Sequence, residues 1–200
     1  MTTTFFLLRH AAHDNVGGFL AGRTQGIQLG PAGRAQAERL AIRMQREELA
    51  AVYSSPRERT QETAAAIAAA RGIQRVVVEP ELDEVDFGET WQGKDFETLD
   101  EDPAWRRWNE QRSLARTPAG ERMIDVQCRA MSLMERLTPR HAGTGIALVS
   151  HSEVIKGVVS YVLGLPIDAW MKFEVGPASI TTVVTGEWGS KLLSLNELVG

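Results

Sequence analysis

Phe5-Phe6-Leu7-Leu8-Arg9-His10 is a run of four apolar residues cut off by a cation and an imidazole. That is the pattern of a buried strand whose end emerges into a polar site. The same pattern returns along the chain. Ala51 to Ser54 leads into Ser55-Pro56-Arg57-Glu58-Arg59, Val76 to Val78 into Glu79-Pro80-Glu81-Leu82-Asp83-Glu84, and Ile146 to Val149 into Ser150-His151-Ser152-Glu153. Helical stretches separate these strands. Pro31 to Glu48 opens on a first-turn proline and keeps Leu40, Ala41 and Met44 at helical spacing, while Thr60 to Arg71 is alanine-rich and stops at Gly72. Strands alternating with helices of this size predict an α/β fold, a mostly parallel central sheet with helices on both faces. After Pro166 the character changes: Ser179 to Thr185 and Lys191 to Leu195 flank Gly186-Glu187-Trp188-Gly189 as a hairpin would, predicting an antiparallel edge near the C-terminus.

The 200 residues suit one domain over 1–200, since domains run to about 150 residues. Residues 87–120, where Trp91, Trp105 and Trp108 sit among acidic residues, glycine and proline, predict an inserted loop with a short helix, the tryptophans packing it onto the sheet. A further helix is predicted from Glu121 to Leu137. Hydrophobic residues at 43% and charged residues at 24% are globular values that exclude disorder and fibrous repeats. A net charge of −4 argues against nucleic acid or an anionic membrane as partner. The lone Cys128, read as helix packing, allows no internal disulfide and suits a reducing cytoplasm. Phe5 to Leu8 is too short for a signal peptide or membrane span. His141 is expected to be an exposed loop residue.

In a parallel α/β sheet, ligands bind outside the carboxyl ends of the strands. His10 and His151, two of only four histidines, fall at equivalent strand ends far apart in sequence. Ser55 and Ser150 stand three residues before Glu58 and Glu153, the spacing of capping boxes that would open two helices toward one place. Helix N-termini favour anions, and Arg9 and Arg59 add planar forks suited to phosphate oxygens. Such a pocket fits a histidine nucleophile: neutral imidazole attacks phosphorus through one ring nitrogen while the other is held by a hydrogen bond. A carboxylic acid must protonate the leaving alkoxide. Glu84 is the choice, with Asp83 and Asp86 as competitors.

At these residues the chain resembles the histidine phosphatase superfamily, also called phosphoglycerate mutase-like. Leu7-Leu8-Arg9-His10 is similar to its Arg-His signature, Ser54 to Thr60 with Thr63-Ala64 to its Ser-Ser-Pro-x-x-Arg-Ala-x-x-Thr-Ala block, and Val149-Ser150-His151 to its second histidine. Leu82-x-Glu84 with Gly88 resembles the acid-bearing segment, Gly22-Arg23 the segment between, and Pro118-x-Gly120-Glu121 a Pro-x-Gly-Glu-Ser block. The likeness runs from Phe5 to Val184. It implies a metal-independent phosphatase without cofactor, with His10 as nucleophile, Glu84 as proton donor and acceptor, and Arg9, Arg59 and His151 around the phosphate. Gly22, Arg23 and Ser152 are carried over as substrate contacts, and so is Asn15, one place before the family's usual phosphate-contacting Asn. The chain departs from the pattern at Ala11 and His13, where the family usually has Gly and Thr.

The leading reading is a phosphomonoester hydrolase acting on a small phosphorylated metabolite through a phosphohistidine. The alternatives are a phosphoglycerate mutase and a non-catalytic phospholigand-binding protein. A binding module needs no proton donor, and a metallohydrolase lacks ligands at the usual spacing. Mutase action calls for extra cations. Between Phe87 and Pro103 only Lys94 stands against Glu89, Asp95, Glu97, Asp100, Glu101 and Asp102, and Arg106-Arg107 read as an exposed helix face.

Overall fold

The computed structural model describes residues 1–199. Strands β1 (Thr3–Arg9), β2 (Leu49–Ser54), β3 (Val76–Val78), β4 (Gly145–Ser150), β5 (Ile180–Gly186) and β6 (Gly189–Glu197) form one sheet in the order β3-β2-β4-β1-β5-β6. The pairs among β1 to β4 are parallel, whereas β5 runs antiparallel to both β1 and β6. Helices α1 (Pro31–Met44), α2 (Glu58–Ala70), α3 (Gly88–Trp91), α4 (Phe96–Asp100), α5 (Pro103–Glu110), α6 (Met123–Leu137) and α7 (Ser152–Leu163) surround it. The α/β class, the mostly parallel sheet and the antiparallel hairpin edge are as the sequence predicts.

The period of two in the strands splits the core. Phe5, Leu7, Ile146 and Leu148 pack with α6, α7 and the three tryptophans of residues 87–120, whereas Phe6, Leu8, Ala147 and Val149 pack with α1 and α2. Alternate side chains point to opposite faces, so a central strand covered on both sides must be apolar throughout. Each Leu or Phe fully buried this way stabilises the fold by about 1.5–3 kcal/mol. Register then positions the site. Arg9 pairs with Ser150 and Ser54 with Val149, so His10, Ser55 and His151 leave the sheet together at its carboxyl end.

Several local expectations give way to tertiary demands. α1 stops at Met44 rather than Glu48 because β2 begins at Leu49, opposite Gly145. Residues 87–120 hold three short helices rather than one. The Ser55 and Ser150 capping boxes do not form: the N-caps of α2 and α7 are Arg57 and His151, neither with a side-chain cap. Ser150 Oγ points elsewhere, donating to the Leu82 carbonyl at 2.7 Å; Ser55 Oγ does accept from Arg57 N–H at 3.3 Å, but Glu58 does not reach back, accepting instead from Gly26 N–H at 2.9 Å. Cys128 is exposed on α6 rather than packed, because Val126, Ala130, Leu133 and Met134 form that helix's buried face. His141 is half-buried, its Nε2 2.8 Å from the Tyr53 hydroxyl. Among the described residues no helix is long and apolar enough to cross a membrane.

Candidate active site

A cavity of about 300 Å³ opens at the carboxyl ends of β1 and β4, and Arg9, His10, Arg59, Glu84 and Ser152 are in its wall. A larger hollow of about 670 Å³ lies at the opposite end of the sheet, around Met1, Met131, Tyr161 and the β5–β6 turn, and no histidine or arginine lines it. Chemistry collects in the smaller one.

His10 is buried, and its Nδ1 lies 2.8 Å from the carbonyl of Ala11. A carbonyl only accepts, so Nδ1 carries the proton and Nε2 keeps its lone pair. Nε2 in turn accepts from Arg59 Nε at 3.3 Å. Burial, then the charges of Arg59 and Arg9, hold the His10 pKa well below the usual imidazole range. The result is a neutral imidazole of fixed tautomer. Arg59 is 1% exposed and is anchored by Nη2, which donates to the Gly22 carbonyl at 2.7 Å and to His151 Nδ1 at 3.2 Å. Arg9 Nη1 donates to the Val175 carbonyl at 2.7 Å. Arg59 Nη1 and Arg9 Nε are buried donors with no protein partner, which in a folded protein calls for an explanation; an anion supplies one.

His151 is fully buried, its ring centroid 5.2 Å from that of His10. Its orientation is set through Ser55. The Ser55 hydroxyl donates to Asp83 Oδ1 at 3.3 Å, and His151 Nε2–H donates to Ser55 Oγ at 2.8 Å. That leaves Nδ1 as the acceptor for Arg59 and 3.7 Å from Glu84 Oε2. Burial and Arg59 push its pKa well below normal too. Asp83 itself is held by Arg57 Nε at 3.0 Å.

Of the three candidate acids only Glu84 lines the cavity. Its backbone carbonyl is clamped by Arg23 Nε at 2.8 Å and Arg129 Nη2 at 3.1 Å, which aims the side chain inward. Burial raises its pKa, against the Val85 N–H bond and the charges of Arg59 and Arg129. Asp83 is engaged by Ser55 and Arg57, and Asp86 accepts from Gly88 N–H and pairs with Arg23.

Gly22 and Ser152 line the cavity; Asn15 and Arg23 do not. Gly22 has φ +51°, and a Cβ there would lie 2.9 Å from Gln92 Oε1, so glycine is needed where the chain turns. Asn15 is exposed in the loop after His10. Arg23 is drawn away by Asp86 at 3.2 Å and Glu121 at 3.4 Å, a carboxylate cluster that no local pattern shows. Sequence reasoning missed the far wall. There Arg112 is 3% exposed, its guanidinium 3.3 Å from the Trp170 ring centroid and ion-paired with Glu153. The sequence signals nearest this wall were Glu153, three residues after Ser150, and Trp105. Trp91 and Trp108 are core residues, while Trp105 both packs and lines the cavity. Among the described residues no group of three or more His, Cys, Asp or Glu side chains is placed to hold a metal ion.

Residues 5–198 match the family described as histidine phosphatase superfamily (branch 1). The chain belongs to that superfamily. It is 31% identical over 180 residues to phosphoserine phosphatase 1 of Hydrogenobacter thermophilus, covering 88% of this chain and 84% of that one. Among solved structures, mycobacterial glucosyl-3-phosphoglycerate phosphatase superposes with a TM-score of 0.87 at 26% identity, over 98% of this chain and 100% of that one. A phosphoserine phosphatase mutant from Entamoeba histolytica, in complex with phosphoserine, gives 0.85 at 27% identity over 97% and 96% of the two chains. This histidine phosphatase is therefore an enzyme that hydrolyses small phosphorylated metabolites.

Proposed function

We propose that the enzyme cleaves its phosphomonoester in two displacements at His10. His10 Nε2 attacks phosphorus, the N–P bond forms, and the bond from phosphorus to the ester oxygen breaks while Glu84 gives that oxygen its proton. Water then attacks the phosphohistidine, Glu84 takes a proton from it, the N–P bond breaks, and inorganic phosphate leaves with His10 and protonated Glu84 restored. Arg9 and Arg59 bind the phosphoryl oxygens and offset the charge that develops on them, while His151, behind the cavity wall, accepts from Arg59 and holds it in place. Gly22 shapes the cavity and Ser152 meets the substrate at its edge.

One observation carries this reading: His10 is neutral, its tautomer is fixed by the Ala11 carbonyl, and its free nitrogen faces Arg59 beside an acid whose pKa is raised. A nucleophile and a proton donor with pKa values displaced in opposite directions are the pairing this chemistry needs. The lone cysteine and the charge of −4 support a cytoplasmic enzyme whose partner is a small phosphorylated molecule rather than nucleic acid or membrane, acting as one domain over 1–200. His10→Ala should abolish turnover and keep the fold. Wild type quenched during turnover should carry acid-labile, base-stable phosphate on His10. Label on His151 or on a serine instead would reverse the roles.

A further inference from the structure

His13 is a titratable group of the cavity that this two-step scheme leaves idle. It lies in the loop after His10, outside any helix or strand, and lines the cavity with its ring half-buried. The ring is nearly parallel to that of His10, at 24° with centroids 6.3 Å apart, and rests 5.5 Å from the ring of Phe19. Among the described residues neither ring nitrogen has a protein hydrogen-bond partner. A gap of 6.3 Å is too wide for contact between the two imidazoles. It suits one oxygen of a phosphoryl group seated at His10, with hydrogen bonds to oxygen at about 2.7–3.2 Å. Phe19, which also lines the cavity, packs against the ring at a tilt of 58°.

The charges facing His13 are Arg59 from α2, Arg9 from β1, Asp14 beside it and the neutral His10; Glu84 and the Arg112–Glu153 pair stand further around the wall. Burial, then Arg59 and Arg9, lower its pKa, with Asp14 opposing. His13 is therefore uncharged at neutral pH while the cavity holds no anion. A dianionic phosphoryl group offsets the two arginines and reverses that bias.

We propose that His13 donates a hydrogen bond to a phosphoryl oxygen of the bound substrate, taking a proton from solvent as it does so, and thereby makes phosphate binding proton-linked. This rests on His10 and the arginines holding the phosphoryl group as described above. The sign follows from linkage: a group that gains a proton on binding raises affinity as the pH falls from its bound-state pKa to its free-state pKa, with plateaus on either side. In the linked window a one-proton dependence is up to tenfold per pH unit.

Sulfate is the probe, because it keeps both charges across the range and reports only protein groups. Sulfate affinity would be measured calorimetrically from about pH 5.5 to 8.5 for wild type and His13→Gln, alongside KM and kcat for an aryl phosphate. Wild type should bind more weakly as pH rises. The variant should have a shallower slope, about tenfold weaker binding and higher KM near pH 6, values within about twofold near pH 8.5, and kcat within about threefold throughout. His13 is half-exposed in a loop, so the thermal midpoint should be unchanged. Identical slopes for the two proteins, or a loss in the variant that is equal at every pH, would overturn the proposal. The catalytic reading fails separately: a wild type that binds sulfate with the expected slope but forms no phosphohistidine keeps the role of His13 and loses that of His10.

Discussion

Replacing Glu84 by Gln removes one proton and little else. The amide oxygen still accepts from Val85 N–H, which lies 2.9 Å from Oε1, and the backbone clamp from Arg23 and Arg129 does not involve the side chain. Phosphate contacts from Arg9 and Arg59 are untouched, so substrate binding should hold. A positioned general acid contributes about 10²–10⁴ in rate, or about 2.7–5.4 kcal/mol of barrier at 1.36 kcal/mol per decade. That loss should fall on alkyl phosphates, whose leaving oxygen must be protonated. Phosphorylation of the enzyme by an activated aryl phosphate should slow less than about tenfold, because that leaving group departs as an anion. Single-turnover rapid quench, which isolates formation of the phosphoenzyme, distinguishes the two. Burial raises the Glu84 pKa, so the wild-type alkyl rate should fall as pH rises through that pKa, and the variant should lose this limb. Equal losses for alkyl and aryl esters would refute the assignment, and would do so sharply, since neither Asp83 nor Asp86 lines the cavity to take over.

Ser55→Ala removes the link between Asp83 and His151 Nε2; kcat should fall by up to about tenfold, the worth of one hydrogen bond, with partial recovery in Ser55→Thr, and kcat within twofold of wild type would show that the link does not orient His151. His10 and His151 have native pKa values well below normal, so the unfolded chain binds protons below about pH 6.5 that the native state refuses. Stability measured in urea should therefore decline on acidification from about pH 6.5, by up to about 1.4 kcal/mol per pH unit for each imidazole, and a flat profile from pH 7 to 5 would contradict their neutrality. Arg106 and Arg107 are exposed and outside the cavity wall, Arg106 Nη1 donating to the Asp100 carbonyl at 2.6 Å. Given 3-phosphoglycerate with catalytic 2,3-bisphosphoglycerate, the enzyme should at most release phosphate slowly; efficient interconversion of the phosphoglycerates, lost in Arg106→Ala, would reverse that expectation.

The sequence by itself determined what depends on local period and on where each period stops. Short apolar runs bounded by polar residues, such as Phe5 to Leu8, carry the pattern of strands covered on both faces, and parallel strands bring their carboxyl ends together. Arg9-His10, Ser150-His151 and the segment ending at Glu84 were therefore legible from sequence as neighbours in one candidate site. Long side chains with several possible partners were not legible in that way. Arg23 follows Gly22 into the site's neighbourhood yet turns to Asp86 and Glu121, because carboxylates from two other segments lie across from it. Ser55 reads only as a helix cap, but in the folded chain its hydroxyl, besides accepting from Arg57 N–H at 3.3 Å, also joins Asp83 to His151, partners that lie 28 and 96 residues away in sequence. Arg112 and Trp170, 58 residues apart in sequence, stack at 3.3 Å only because the segments after α5 and after α7 meet at the cavity wall. Periodicity is a property of neighbours along the chain, whereas the direction of an arginine or a serine is chosen by whichever partner packing brings within reach.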